Sequence, residues 1–245
     1  MKIRRKVPKP ARSRSAYLVG YSCSPPALSE LRQWFDREYG GPLSFNETGV
    51  ETIAHHGPWQ AIMAIDLSPG DSEHWQQVLQ WRHPSAATIA MTSSTPQTIT
   101  DSVLHAARLA RGLTLLTEGT AYDVITQRYL NPSDWTDRPL DRFLFSDHLT
   151  VVQHEAEDAR REWFSTRGLS KFGLDEIETF QLIGLPAHPI MDTLADIADE
   201  IWRRGRSPSV GTTFEIGRLA LSVQVVRHRT LPFSGNPLPL REVRW

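Results

Sequence analysis

VETIAHHGPWQAIMAIDL, residues 50–67, is the stretch whose reading decides the fold. Residues 50–54 and 59–67 are two β-like runs, and His55-His56-Gly57-Pro58 between them is a turn signal, so the stretch predicts a hairpin. Toward the N-terminus, residues 16–22 (AYLVGYS) form another short β run. Ser24-Pro25-Pro26 then supplies an N-cap and early prolines to a helix with Leu28, Leu31 and Phe35 on one face, closed by Gly40-Gly41-Pro42. Toward the C-terminus, Asp71 caps a second helix with Trp75, Val78 and Leu79 inward, ending at His83-Pro84, and residues 87–92 are a further strand. The order βαββαβ predicts a ferredoxin-like unit over residues 16–112.

Beyond it, Thr95-Pro96 opens a helix carrying Ile99, Val103, Ala106 and Ala110, which Gly112 is expected to close. Residues 114–117 and 121–126 read as a hairpin around Glu118-Gly119-Thr120, and residues 131–141 as the least ordered interior loop. Residues 148–154 predict a strand, 158–167 a short helix stopped by Gly168, and 176–183 a strand. Ile190, Leu194, Ile197 and Ile201 mark the clearest amphipathic helix, with Asp199/Arg203 and Glu200/Arg204 paired on its outer face. Residues 219–226 alternate as a half-buried strand. The fold class is therefore α+β, the ferredoxin-like unit being followed by a second antiparallel sheet backed by helices over residues 113–232. Residues 1–15 are read as a disordered basic arm and 233–245, with Pro237 and Pro239, as an irregular tail.

At 40% hydrophobic and 22% charged residues with eight Trp, the 245-residue chain has the composition of a globular protein and not of a disordered one. The single cysteine, Cys23, allows no intrachain disulfide and suits a reducing compartment, so the cytoplasm is the expected location. No apolar run approaches the roughly 20 residues of a membrane span, and the one at residues 61–67 contains Asp66. The apolar run at residues 16–19 is too short for a signal peptide. Net charge is −1, but seven of the 27 basic residues lie in the first fourteen positions with no acid among them; the remaining 20 basic and 28 acidic residues carry −8. Such an arm invites phosphate contacts, yet it has no aromatic side chain before Tyr17 to stack on bases. A solvated tail is the preferred reading over nucleic-acid binding.

Residues 163–178, WFSTRGLSKFGLDEIE, resemble a family of uncharacterised bacterial domains in which a Gly-(Leu/Met)-x-Lys-Phe-Gly-x-x-Glu-(Ile/Leu)-Glu core leads into a strand. The resemblance covers roughly residues 115–225 and implies no activity or cofactor. Physically, the core reads as a stop at Gly168, a turn at Gly173, and Phe172 packed on Trp163 or Phe164, with Lys171 facing Glu176 or Glu178. Trp163, Lys171, Glu176 and Glu178 are accordingly the candidate ligand-binding residues.

The familiar catalytic and nucleotide-binding motifs are absent. His148 and His154, six residues apart on one predicted strand face, would lie roughly 20 Å apart and share no metal. Glu155, Glu157 and Asp158 suit a helix N-terminus, and Asp192, Asp196 and Asp199 a solvated helix face. In a ferredoxin-like unit, however, Cys23, His55, His56 and His83 would gather at one end of the sheet, where a thiol beside imidazoles serves as a nucleophile or zinc site. The leading expectation is a non-catalytic binding or interaction protein of bacterial type, its partner an unidentified protein or small ligand, with no cofactor and no metal. The alternative is a small thiol- or zinc-dependent enzyme at Cys23, His55, His56 and His83.

Overall fold

The computed structural model describes residues 15–49, 51–67, 83–93, 99–155, 160–233 and 236–245. The basic arm and the helix expected from Asp71 lie outside the described residues, apart from Ser15 and His83. The protein is mixed α+β and divides into two compact units. One takes the chain up to Val124 together with Tyr129–Arg142; the other takes Ile125–Arg128 and Phe143–Trp245. The division falls near residue 142 and not near 113, because the strand after the long helix returns to pair within the first unit.

In the first unit the elements are β1 (Ala16–Tyr21), α1 (Leu28–Tyr39), β2 (Ser44–Thr48), β3 (Glu51–His56), β4 (Trp59–Leu67), β5 (Ser85–Ser93), α2 (Ile99–Thr117), β6 (Thr120–Asp123), β7 (Arg128–Leu130) and α3 (Pro132–Thr136). The expected hairpin is β3–β4, with His56 opposite Trp59. Helix α1 starts later than read: its first turn is closed by the Glu30 carboxylate accepting from the Ala27 N–H at 2.9 Å, so Ser24 is not the cap. The sheet order is β2-β3-β4-β5-β1-β6-β7. A ferredoxin-like sheet would place β1 between β4 and β5; here β4 pairs directly with β5, and β1 lies beyond it. That part of the expectation is corrected, and the correction reverses the direction of β3 relative to β1.

Gly112 does not close α2. A Cβ there would fall 2.7 Å from the Trp34 ring, so the glycine serves close packing of α2 on α1. The helix runs on to Thr117, and the strand expected at 114–117 is its last turn. Thr114 and Thr117, β-branched residues that favour strands, donate instead to the carbonyls of Ala110 and Leu113, both at 2.7 Å. The stretch read as the least ordered is pinned: Trp135 and Leu140 are buried, and Arg108 donates to the carbonyls of Leu140 and Asp141, each at 2.9 Å.

The second unit contains β8 (Thr150–His154), β9 (Arg161–Arg167), β10 (Glu176–Leu182), α4 (Ala187–Arg204), β11 (Thr213–Ile216), β12 (Leu221–Phe233) and β13 (Asn236–Arg244). Its sheet order is β11-β12-β13-β10-β9-β8, antiparallel except where β13 runs parallel to β10. Helix α4 packs across β8, β9 and β10 and buries Ile190, Leu194, Ile197, Ala198 and Ile201. Its outer face carries the expected pairs, Asp199–Arg203 at 3.0 Å and Glu200–Arg204 at 2.8 Å.

Two expectations fail here. Of the helix read at residues 158–167, Arg161–Arg167 is strand β9, whose alternating side chains pair with β8 and β10, and residues 158 and 159 lie outside the described residues. Within the stretch read as an irregular tail, Asn236–Arg244 is β13, an interior strand. Its prolines fit because β13 joins β10 only from Leu240 onward, while Pro237 and Pro239 sit opposite Pro232 and Thr230 on β12, with the β10 side unpaired.

Candidate functional site

The reversed strand order separates the four residues proposed for thiol or zinc chemistry. Tyr21 pairs with Ser85, so Cys23 and His83 share one end of the first sheet. Cys23 is exposed, its Sγ–H directed at the Thr117 carbonyl at 3.5 Å, and the His83 ring lies over Gly20, 2.6 Å from where a Cβ would stand. The register Ala16–Ala90–Ile62–Ile53 puts β3 antiparallel to β1. From that common level Cys23 lies seven residues one way and His56 three the other, on the order of 30 Å apart at about 3.3 Å per residue. No single thiol, base or metal site includes all four. Among the described residues no group of three or more His, Cys, Asp or Glu side chains is arranged to hold a metal ion.

His56 is instead a packing residue. Its Nε2–H donates to the Gly40 carbonyl at 3.2 Å, and its Nδ1 accepts from the Trp59 indole at 3.0 Å. Burial, the larger cause, and Arg108 lower its pKa. Phe35 and His105 meet its ring at 5.2 and 4.6 Å. His105 carried no signal in the sequence: it sits among the apolar residues of α2, and only the β3–β4 hairpin folding over that helix brings it to His56 and Trp59. His55, half-buried on the strand, meets Asn46 at 3.2 Å.

The four ligand-binding candidates come together around β9 and β10, but their partners are this chain's own groups. Glu176, wholly buried, accepts from the N–H groups of Gly168, Leu169 and Ser170 at 2.9, 3.2 and 3.0 Å and from the Thr166 hydroxyl at 2.8 Å. It is an internal anion capping the tight turn at Leu169–Phe172. Gly168, at φ +135°, lies where a Cβ would strike the His148 carbonyl at 2.2 Å, which accounts for the glycine after β9. Gly173, at φ +74°, makes the expected turn. Lys171 is fully buried within it, and Phe172 packs on Phe143, Phe145 and Trp202 instead of Trp163 or Phe164.

Register places Glu178, Ser165, Trp163, Phe180, His154 and Arg229 on one face of the second sheet. Arg229 clamps buried Glu178 through its Nε and a terminal nitrogen at 2.8 and 2.5 Å, and its guanidinium lies 5.0 Å from the Trp163 ring centre. His154 stacks on Trp163 at 3.9 Å, and its Nε2 meets the Ser165 hydroxyl at 2.8 Å. Burial, then Arg167 and Arg229, lower the His154 pKa to about 4. A serine beside a neutral imidazole has the composition of a nucleophile and its base. Ser165, however, is wholly enclosed, so no reactant reaches its oxygen.

What the second unit does offer outward is apolar. The end of β10 and the β10–α4 connection expose Leu182, Ile183 and Leu185 at 65%, 57% and 49%. Because β13 runs parallel to β10 and Gln224 of β12 pairs with Arg244, the chain end and the β11–β12 turn lie at the same end of the sheet. They add Trp245 and Leu219, exposed at 37% and 40%. No periodicity signals this gathering; it follows from strand order. Comparison with family models, curated proteins and solved structures finds no match for this chain.

Proposed function

We propose that the protein is a non-catalytic binding protein, of the bacterial type its Gly168–Glu178 core resembles, and that a partner protein docks on the apolar end of the six-stranded sheet. The supporting observation is the clustering of Leu182, Ile183, Leu185, Leu219 and Trp245, since grouped exposed apolar side chains mark interaction sites whereas scattered ones do not. The internal satisfaction of Glu176 and Glu178 supports the same reading, because it leaves those carboxylates to the fold. A cytoplasmic location belongs to this reading and rests on the lone Cys23. Among the described residues no helix is long and apolar enough to cross a membrane.

The test is a comparison of proteins captured by the intact chain and by L182S/I183S/L185S, followed by titration of the purified chain with whatever the intact chain retains. Loss of that partner in the variant, with melting unchanged, is the expected result. Equal capture by both, or loss caused by Cys23→Ala instead, would overturn the assignment.

A further inference from the structure

The seven-stranded sheet ends in two unlike edges. At one, β7 is three residues long and is followed by Pro132 after a single intervening residue, the means by which an edge is kept from pairing. At the other, β2 is SFNET, paired with β3 through all five residues with no bulge. It carries neither lysine nor proline, and no described strand covers its outer side. Ser44, Asn46, Glu47 and Thr48 are exposed.

The strand is also held in place before any partner arrives. Leu43, just ahead of it, is buried and its N–H donates to the Asp36 carboxylate at 2.9 Å. At the far end the Thr48 hydroxyl donates to the Glu51 carbonyl at 3.2 Å. A strand already ordered loses little conformational freedom on pairing.

We infer that β2 pairs antiparallel with β2 of a second copy of this chain, joining two sheets about a twofold axis at Asn46. The sequence is complementary to itself in that register. Asn46 faces its own copy; its Nδ2 already meets His55 at 3.2 Å, which leaves the amide oxygen and one N–H to pair across the axis. Phe45 faces Glu47, Ser44 faces Thr48, and no like charges oppose each other. Such an isologous contact closes at two copies. It uses a different surface from the apolar end of the second unit and stands independently of the function proposed there.

Sedimentation of the full chain, 27.8 kDa as a monomer, tests the pairing. The intact protein is expected at twice that mass across the micromolar range. Asn46→Lys and Asn46→Asp each place like charges opposite one another at the axis, so each variant alone should sediment as a monomer while its melting point stays with that of the parent. Mixing the two in equal amounts should restore the dimer, because Lys then faces Asp. An intact chain that is monomeric throughout, a dimeric Asn46→Lys protein, or two folded variants that do not recombine would each overturn the inference. A dimer broken by L182S/I183S/L185S and not by Asn46→Lys would overturn it in favour of the apolar end.

Discussion

His105 lies flat on Trp59, ring centres 4.6 Å apart at 10°, and its buried Nδ1 has no hydrogen-bond partner among the described residues. Burial first, then the neighbouring His56 and Arg108, push its pKa from 6.5 to about 3. Between those values the unfolded chain binds the proton and the folded chain does not. The stabilisation is therefore complete above pH 6.5 and is lost as pH falls toward 3, by up to about 1.4 kcal/mol for each pH unit. His105→Phe keeps the stack and removes the titration. Stability at pH 7 should change by less than about 1.5 kcal/mol, while the fall between pH 6.5 and 4 becomes shallower. Denaturant melts at three pH values measure this, and parallel acid limbs would refute it. His154, lowered to about 4, leaves some acid sensitivity in the variant. Glu176→Gln tests the internal anion. An amide presents N–H where N–H donors already point, so a loss of about 2 to 3 kcal/mol is expected, read as a lower melting temperature.

At the scale of elements, β13 is the plainest case of a segment whose sequence misleads. Pro237 and Pro239 read as irregular chain because proline cannot donate to a ladder, yet the strand between β12 and β10 needs N–H groups toward β10 only from Leu240 onward. Removing residues 236–245 would strip the middle of the sheet and expose Val225 and Ile177, both wholly buried. The second unit should then lose cooperative unfolding and become insoluble, whereas a soluble truncated chain with the parent's melting would show that β13 adds nothing. Helix α4, by contrast, was legible because its apolar stripe repeats at helical spacing and its ion pairs fall one turn apart. Gly112 and β9 were not. A glycine that stops a helix and one that admits a tryptophan look alike in sequence, and residues 158–167 carry an acidic start and a glycine end that suit a helix as well as a loop before a strand.

Over the whole molecule, the sequence by itself determined the α+β class, the β3–β4 hairpin, helices α1 and α4, and the turn at Gly173, because each rests on side-chain periodicity or backbone preference within some twenty residues. Strand order was decided only by the tertiary structure. Whether β1 inserts between β4 and β5 or lies beyond β5 leaves every local signal unchanged, since both are apolar strands of similar length. That single choice moved His55 and His56 to the opposite end of the sheet from Cys23 and His83. In the second sheet, the order of β10, β13, β12 and β11 likewise gathers Leu182, Leu219 and Trp245, distant in sequence, at one end. A site assembled across strands depends on which strands are neighbours, and that is settled by how whole faces pack, a property no local stretch of residues carries.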